Sequence, residues 1–399
     1  MRTNTLLLAL LTLPAAARAE PLPDGWFVWM SDRQDGRHEL YRRSVAGTEP
    51  PTRLTRSGAQ IPLIAPDGRW IAYRYPKDGS VHIVSSDGKV DRELCRGLPV
   101  EASPGFWLHD GGGYVCALYT ISPKIDVEYR LVHPDTGASQ TLFRQTEFAH
   151  FEAVRFEPGG LSLDRRWLVG WGHNLFQNGH TATNGAFKFD SASVALDLEH
   201  RDAVYFIGPG CFAATPPGGP WIYHASRHDP ATKPDIYRLG VNELMDRSSY
   251  AAEVALPDAQ WGHENMPRIS TDGRWLIYAA TTGCHNWLDC NYDVFIHRLG
   301  SGPTERHRLT DDPGNDSFPH MFVPAADAGG DATPPPDAGP DAPDAAVGDG
   351  AAPSCSSGCA LSPGPRADGW LVLLLLLVAA LHRRARRRAT RSLRSIRRQ

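Results

Sequence analysis

The apolar residues between Pro23 and Pro324 come in short runs, each set off by a tight turn containing Gly, a pattern of β-strands joined by hairpins. The stretch Ile61-Pro62-Leu63-Ile64-Ala65-Pro66-Asp67-Gly68-Arg69-Trp70-Ile71-Ala72-Tyr73 returns as Met266-Pro267-Arg268-Ile269-Ser270-Thr271-Asp272-Gly273-Arg274-Trp275-Leu276-Ile277-Tyr278. Weaker copies carry the turn and the run that follows it as Asp24-Gly25-Trp26-Phe27, Asp110-Gly111-Gly112-Gly113-Tyr114, Asp164-Arg165-Arg166-Trp167 and Gly218-Gly219-Pro220-Trp221. The turn position then falls at 24, 67, 110, 164, 218 and 272, in steps of 43, 43, 54, 54 and 54 residues. Six such units predict an all-β fold, a six-bladed β-propeller.

The second half of each unit repeats as well. Glu39-Leu40-Tyr41, Asp235-Ile236-Tyr237 and Asp293-Val294-Phe295 each begin a further strand, and Arg53-Leu54-Thr55 and Arg308-Leu309-Thr310 mark the fourth. The first unit begins at its turn, with almost nothing upstream to form the strand that precedes the turn elsewhere. Phe318-Pro319-His320-Met321-Phe322-Val323-Pro324 matches that missing strand in its proline position. The Ser317–Val323 segment is therefore expected to complete the blade begun by Trp26–Ser31, so that the two ends of the domain hide each other's edges. Trp70, Trp167, Trp221 and Trp275 recur at one repeat position and are expected to pack between blades rather than to grip a ligand.

These residues carry a family resemblance. Trp29-Met30-Ser31-Asp32-Arg33, followed by Glu39-Leu40-Tyr41, Arg53-Leu54-Thr55 and the Ala65-Pro66-Asp67-Gly68-Arg69-Trp70-Ile71-Ala72-Tyr73 run, resembles TolB-type propeller repeats over Pro23 to Pro324. The resemblance implies the fold and leaves function open, because such propellers serve as binding platforms, periplasmic partners and parts of enzymes. TolB proteins carry an α/β domain before the propeller, whereas only Glu20 to Pro23 separate the expected cleavage site from the first repeat here. A TolB-equivalent role is accordingly not expected.

Outside the propeller the composition changes at both ends. Residues 1–19 combine Arg2, an apolar stretch from Leu6 to Leu13 and the small-residue sequence Ala17-Arg18-Ala19, which reads as a signal peptide cleaved between Ala19 and Glu20. The expected propeller domain is 20–324. Residues 325–354 are almost entirely Ala, Asp, Pro and Gly, cannot bury a core, and read as a disordered, extended spacer. Residues 355–399 then carry Cys355-Ser356-Ser357-Gly358-Cys359, a short apolar helix over Trp370 to Leu381, and the basic cluster Arg383-Arg384-Ala385-Arg386-Arg387-Arg388. Twelve apolar residues rise about 18 Å as a helix, short of the ~30 Å hydrocarbon core, but the arginines fit an orientation with the C-terminus cytoplasmic. This order resembles the MYXO-CTERM sorting tail of exported proteins. The resemblance implies cleavage by a membrane-embedded, sortase-like protease near Cys359, with lipid attachment at that cysteine. Cys355 is the alternative position, and a Cys355–Cys359 disulfide the alternative fate.

Charge and cysteines narrow the function classes. From Glu20 to Pro324 there are 29 Lys and Arg against 38 Asp and Glu, so nucleic acid is not expected as a partner. The whole chain is nearer neutral, at −4, because nine arginines lie between Arg383 and Arg398. Seven cysteines are too few for a disulfide scaffold, although export permits bridges. Cys284 and Cys290 bracket a short polar loop and are expected to pair; Cys95, Cys116 and Cys211 are left as an odd number. No Gly-x-Ser-x-Gly elbow, phosphate-binding glycine loop or paired-histidine zinc motif is present.

The remaining candidate chemistry is histidine. Trp171-Gly172-His173-Asn174 and Trp261-Gly262-His263-Glu264-Asn265 look alike, and His173, His180 and His263 could hold a divalent metal over a propeller channel. Loop histidines more often make ordinary hydrogen bonds, so no catalytic residue and no cofactor is assigned. The expectation is an exported, monomeric, envelope- or surface-anchored binding platform, tethered to the membrane through its tail, for an envelope protein or glycan. The alternative is a metal-assisted, lyase-like enzyme acting on polysaccharide.

Overall fold

The computed structural model describes residues 21–95, 105–120, 126–148, 155–173, 181–182, 185–186, 191–201, 203–215, 221–226, 235–240, 261–282, 291–299 and 306–324. The signal-peptide junction at Ala19 and Glu20, the Cys284–Cys290 pair, the linker, and the tail with Cys355 and Cys359 lie outside these residues. So does His180. His173 and His263 are placed by their backbone alone.

The strands form six antiparallel blades in chain order, the fourth and fifth joined in one six-stranded sheet. The first contains β1 (Trp26–Ser31), β2 (Glu39–Ser44) and β3 (Thr52–Arg53). The second is β4 (Gln60–Ile64), β5 (Trp70–Arg74), β6 (Val81–Ser85) and β7 (Asp91–Cys95), and the third β8 (Gly105–Trp107), β9 (Tyr114–Thr120), β10 (Asp126–Val132) and β11 (Ser139–Arg144). The fourth holds β12 (Arg155–Leu161) and β13 (Trp167–His173), then, beyond a small hairpin of β14 (Thr181–Ala182) and β15 (Gly185–Ala186), β16 (Ser191–Asp197). Strand β17 (Val204–Ala214) serves two blades. Its first half pairs with β16, and its second half pairs with β18 (Trp221–Ser226), which is followed by β19 (Asp235–Gly240). The sixth blade is β20 (Trp261–Ile269), β21 (Trp275–Thr282), β22 (Tyr292–Arg298) and β23 (Arg306–Arg308).

The last strand, β24 (Asp316–Phe322), pairs antiparallel with β1 and gives the first blade the order β24-β1-β2-β3. The expected closure is therefore the observed one. Arg33, just after β1, clamps it: its guanidinium reaches the fully buried Asp316 carboxylate at 2.9 Å and lies over the rings of Trp29 and Tyr41.

Strand β5 reads Trp-Ile-Ala-Tyr-Arg and β21 Trp-Leu-Ile-Tyr-Ala-Ala-Thr-Thr, continuous runs rather than alternations, because each blade is covered on both faces by its neighbours. Trp275 packs with Phe27, Met321 and Ile277 between the last and first blades. Trp167 meets Tyr205 and Ile222 between the fourth and fifth. Trp70 and Trp221 occupy the matching places but are only half-buried, with Arg92 and Arg238 laid over their outer faces. Among the described residues Cys95 and Cys116 form a disulfide across the second and third blades, from β7 to β9.

The recurring sequence signatures have structural duties. In four turns an Asp carboxylate accepts the backbone N–H two residues on: Asp67 from Arg69, Asp110 from Gly112, Asp164 from Arg166 and Asp272 from Arg274. In the first blade the buried Glu39 accepts from Arg53 at 3.0 Å and Thr55 at 2.6 Å, and Thr55 Oγ1 also accepts the Leu40 N–H. In the last blade Arg308 donates to Asp293 at 2.6 Å and Thr310 Oγ1 accepts the Val294 N–H, two of the same three bonds. The acidic residue and the Arg-Leu-Thr motif thus tie second to fourth strand inside a blade. The only helical turn among the described residues is Gln145–Glu147, and no helix among them is long and apolar enough to cross a membrane.

Candidate functional site

Proline sets the shape of the innermost strands. It cannot donate to a sheet ladder, so it belongs at an edge or a bulge, and these strands present one edge to the propeller axis. The pairings of β4, β20 and β24 all shift register around Pro62, Pro267 and Pro319. The residues just before them, Ile61, Met266 and Phe318, hold φ values of 53°, 56° and 49°. A non-glycine residue in this left-handed region costs about 1–2 kcal/mol, so three equivalent bulges mark a built feature. Each bulge delivers the residue after its proline, Leu63, Arg268 or His320, to the axis.

A cavity of ≈ 70 Å³, room for a few water molecules, lies there. All six blades contribute: Leu63 from β4, Phe106 from β8, Gly160 from β12, Ala214 from β17, Arg268 from β20 and His320 from β24. His109, in the turn after β8, Thr215, directly after β17, and Thr271, in the turn after β20, complete its polar lining. Hydrogen bonds stitch the ring together. The Ile64 N–H donates to His320 Nδ1 at 2.7 Å, Trp107 Nε1–H to the Leu63 carbonyl at 2.7 Å, and Thr215 Oγ1–H to the Leu161 carbonyl at 3.1 Å. Gly160 allows the close approach of the fourth and fifth blades, since a Cβ there would sit 2.6 Å from Thr215 Oγ1.

The electrostatics of this cavity differ from the rest of the molecule. Elsewhere buried carboxylates and arginines meet, as in Arg53–Glu39 at 3.0 Å, Arg166–Asp197 at 2.7 Å and Arg308–Asp293 at 2.6 Å. Arg268 has no such partner: its Nη1 is buried without a hydrogen bond, and no Asp or Glu lines the cavity. Burial pulls the guanidinium down to about 10. Desolvation, then the neighbouring Arg268 charge, pushes His320 down to about 3, with a backbone hydrogen bond at Ile269 acting in the other direction. His109 is lowered by burial as well, and its Nε2 lies 3.4 Å from Thr215 Oγ1. The cavity therefore carries one fixed positive charge and two imidazoles held neutral beside it.

Of the sequence-derived histidines, His173 ends β13 and His263 lies within β20, on the innermost or next strand of their blades. Among the described residues the one cluster with metal-ligand chemistry is Asp197, Glu199 and His200, at the outer end of β16. Its buried carboxylate is already engaged by Arg166 and by His200 Nδ1 at 3.1 Å. Arg268, His320 and His109 were not singled out by motif. A signal for the first two does exist in the repeats: after the shared X-Pro the third position reads Leu63, Arg268 and His320, so an apolar strand position turns polar in two copies.

No family model matches the chain, and no curated protein matches it in sequence. Among solved structures, TolB from Acinetobacter baumannii is similar at 15% identity and a TM-score of 0.49, over 74% of this chain and 66% of that one. The match thus spans slightly less than two thirds of that TolB chain. A protein assigned as TolB from Agrobacterium tumefaciens is similar at 14% identity and a TM-score of 0.46, over 75% of this chain and 92% of that one. An oligogalacturonate lyase from Vibrio parahaemolyticus follows at 11% identity and a TM-score of 0.36, over 73% of this chain and 74% of that one. What these similarities describe is a fold, a six-bladed propeller structurally similar to the TolB β-propeller.

Proposed function

We propose that this protein is an exported, non-catalytic binding propeller, anchored at the cell envelope or surface, that receives its ligand at the axial cavity. The observation that supports this reading is the cavity itself: polar groups from separate blades converge on one small space, while no acid lines it and the one hydroxyl pointed at His109 already donates to a carbonyl. That is the makeup of a recognition site rather than of a nucleophile with its base. Export and anchoring rest on the sequence features at residues 1–19 and 355–399.

The test uses the mature protein purified from membranes. Saturable binding of an envelope component, weakened by Thr271→Trp at the cavity rim and unaccompanied by any chemical change in the bound material, is the expected result. Turnover of an acidic polysaccharide by metal-loaded protein, lost on replacing His173 and His263 together, would instead establish the lyase-like reading. Arg268 weighs against a divalent cation beside His109 and His320, because a fixed positive charge in the same small cavity repels it.

A further inference from the structure

The axial cavity combines three properties that point to one ligand chemistry. Its only fixed charge is positive and lacks a counter-ion, since Arg268 Nη1 is buried and unbonded. Its two imidazoles already have backbone partners, His109 at Leu161 and His320 at Ile64 and Ile269, which leaves Arg268 Nη1 as the donor without one. Apart from Thr215 and Thr271 the rest of the wall is apolar, with Leu63, Phe106, Trp107 and Ile269 facing the space. A guanidinium with a buried, unbonded N–H is costly to keep, and nothing in the packing of the ring requires it: the equivalent position in the second blade holds Leu63.

We propose that this cavity binds the carboxylate of a small ligand, with the carboxylate on Arg268 and a short apolar stem against Phe106 and Trp107. The inference rests on the reading of the cavity as the ligand site and names the chemistry it takes. A guanidinium fork matches a planar carboxylate, and the ≈ 70 Å³ volume limits the enclosed part to a few heavy atoms. The propeller as a whole is acidic, so a local positive site inside it selects for anions that are small enough to enter.

The probes are propionate, its neutral isostere propionamide, and inorganic phosphate, titrated into the full-length mature protein at one low ionic strength. Propionate is expected to bind and raise the melting temperature while propionamide does neither. Arg268→Gln should weaken propionate about 10- to 100-fold, the range of a lost charge-assisted hydrogen bond. Equal responses to propionate and propionamide would overturn the proposal without any variant being needed, and phosphate binding in preference to propionate would overturn the assignment to carboxylate. Stability gives an independent reading: ligand-free Arg268→Met should melt at or above the parent, because it removes an unpaired buried charge. A large fall in its melting temperature would assign Arg268 to structure and sink the idea. A protein that ignores propionate yet still captures an envelope component would leave the platform reading intact and remove only this one.

Discussion

Trp275 and His320 sit less than one blade apart in the fold, and each shows how a single side chain answers to its surroundings. Trp275 is 5% exposed and wedged between the last and first blades, so Trp275→Ala should cost about 3–5 kcal/mol in a denaturant titration. The half-buried Trp70 ring, which donates its N–H to Asp135, should cost less on the same substitution. Equal losses at the two positions would contradict the packing described for them. His320 responds to pH. Its pKa in the folded protein, about 3, lies below the unfolded value near 6.5, so the unfolded chain binds a proton that the folded one refuses. The stability associated with a neutral His320 is fully present above pH 6.5 and is lost as pH falls toward 3. Arg268 and His109 face it and act in the same direction. His320→Asn, whose amide can still accept the Ile64 N–H, should flatten the fall in stability across that window; an unchanged acid slope would show that His320 does not titrate there.

At the scale of the element, the closing strand is the piece on which the ring depends. β24 fills the inner position of the first blade and brings Met321, Val323 and Phe318 into the core. Removing everything after Asp311 exposes the edge of β1, leaves Arg33 without its Asp316 partner, and strips one wall from the axial cavity. The truncated protein is expected to aggregate or to melt far below the parent, and an unchanged melting temperature by circular dichroism would refute the closure. The repeat phase at the two ends of the domain was enough to anticipate this pairing. It was not enough to anticipate β17, one strand shared by two blades, because Gly208-Pro209-Gly210, where its partners change, reads as a turn, whereas the strand runs through it from Val204 to Ala214.

For the whole molecule the open matter is where the propeller is held. A plain anchor needs about twenty apolar residues, whereas Trp370 to Leu381 supplies twelve, followed by arginines and preceded by Cys359 in a Ser/Gly segment. If cleavage beside Cys359 discards the helix, attachment passes to lipid on the cysteine, and stable anchoring then takes two acyl chains. Cys359→Ser should release the propeller or leave the full precursor in the inner membrane, while Cys355→Ser should do neither. Fractionation and intact mass measure both outcomes. If both variants behave like the parent and the mature form retains residues 370–399, the tail is an ordinary transmembrane anchor.

What the sequence determined by itself is the repeat and its consequences: the blade number, the phase of the closing strand, the Asp-Gly turns and the buried aromatic position. These are legible because each is a local pattern copied several times, and a copied pattern reveals which residues are equivalent. The tertiary structure alone decided which equivalent positions meet. Leu63, Phe106, Gly160, Arg268 and His320 are far apart along the chain, and each looks like an ordinary strand residue. Only closure of the ring brings them around one axis, and only there does Arg268 Nη1 become buried with no acid in the surrounding wall. The histidine pattern that stood out in the sequence falls at the end of one strand, His173 in β13, and inside another, His263 in β20. The cavity is a property of the circle.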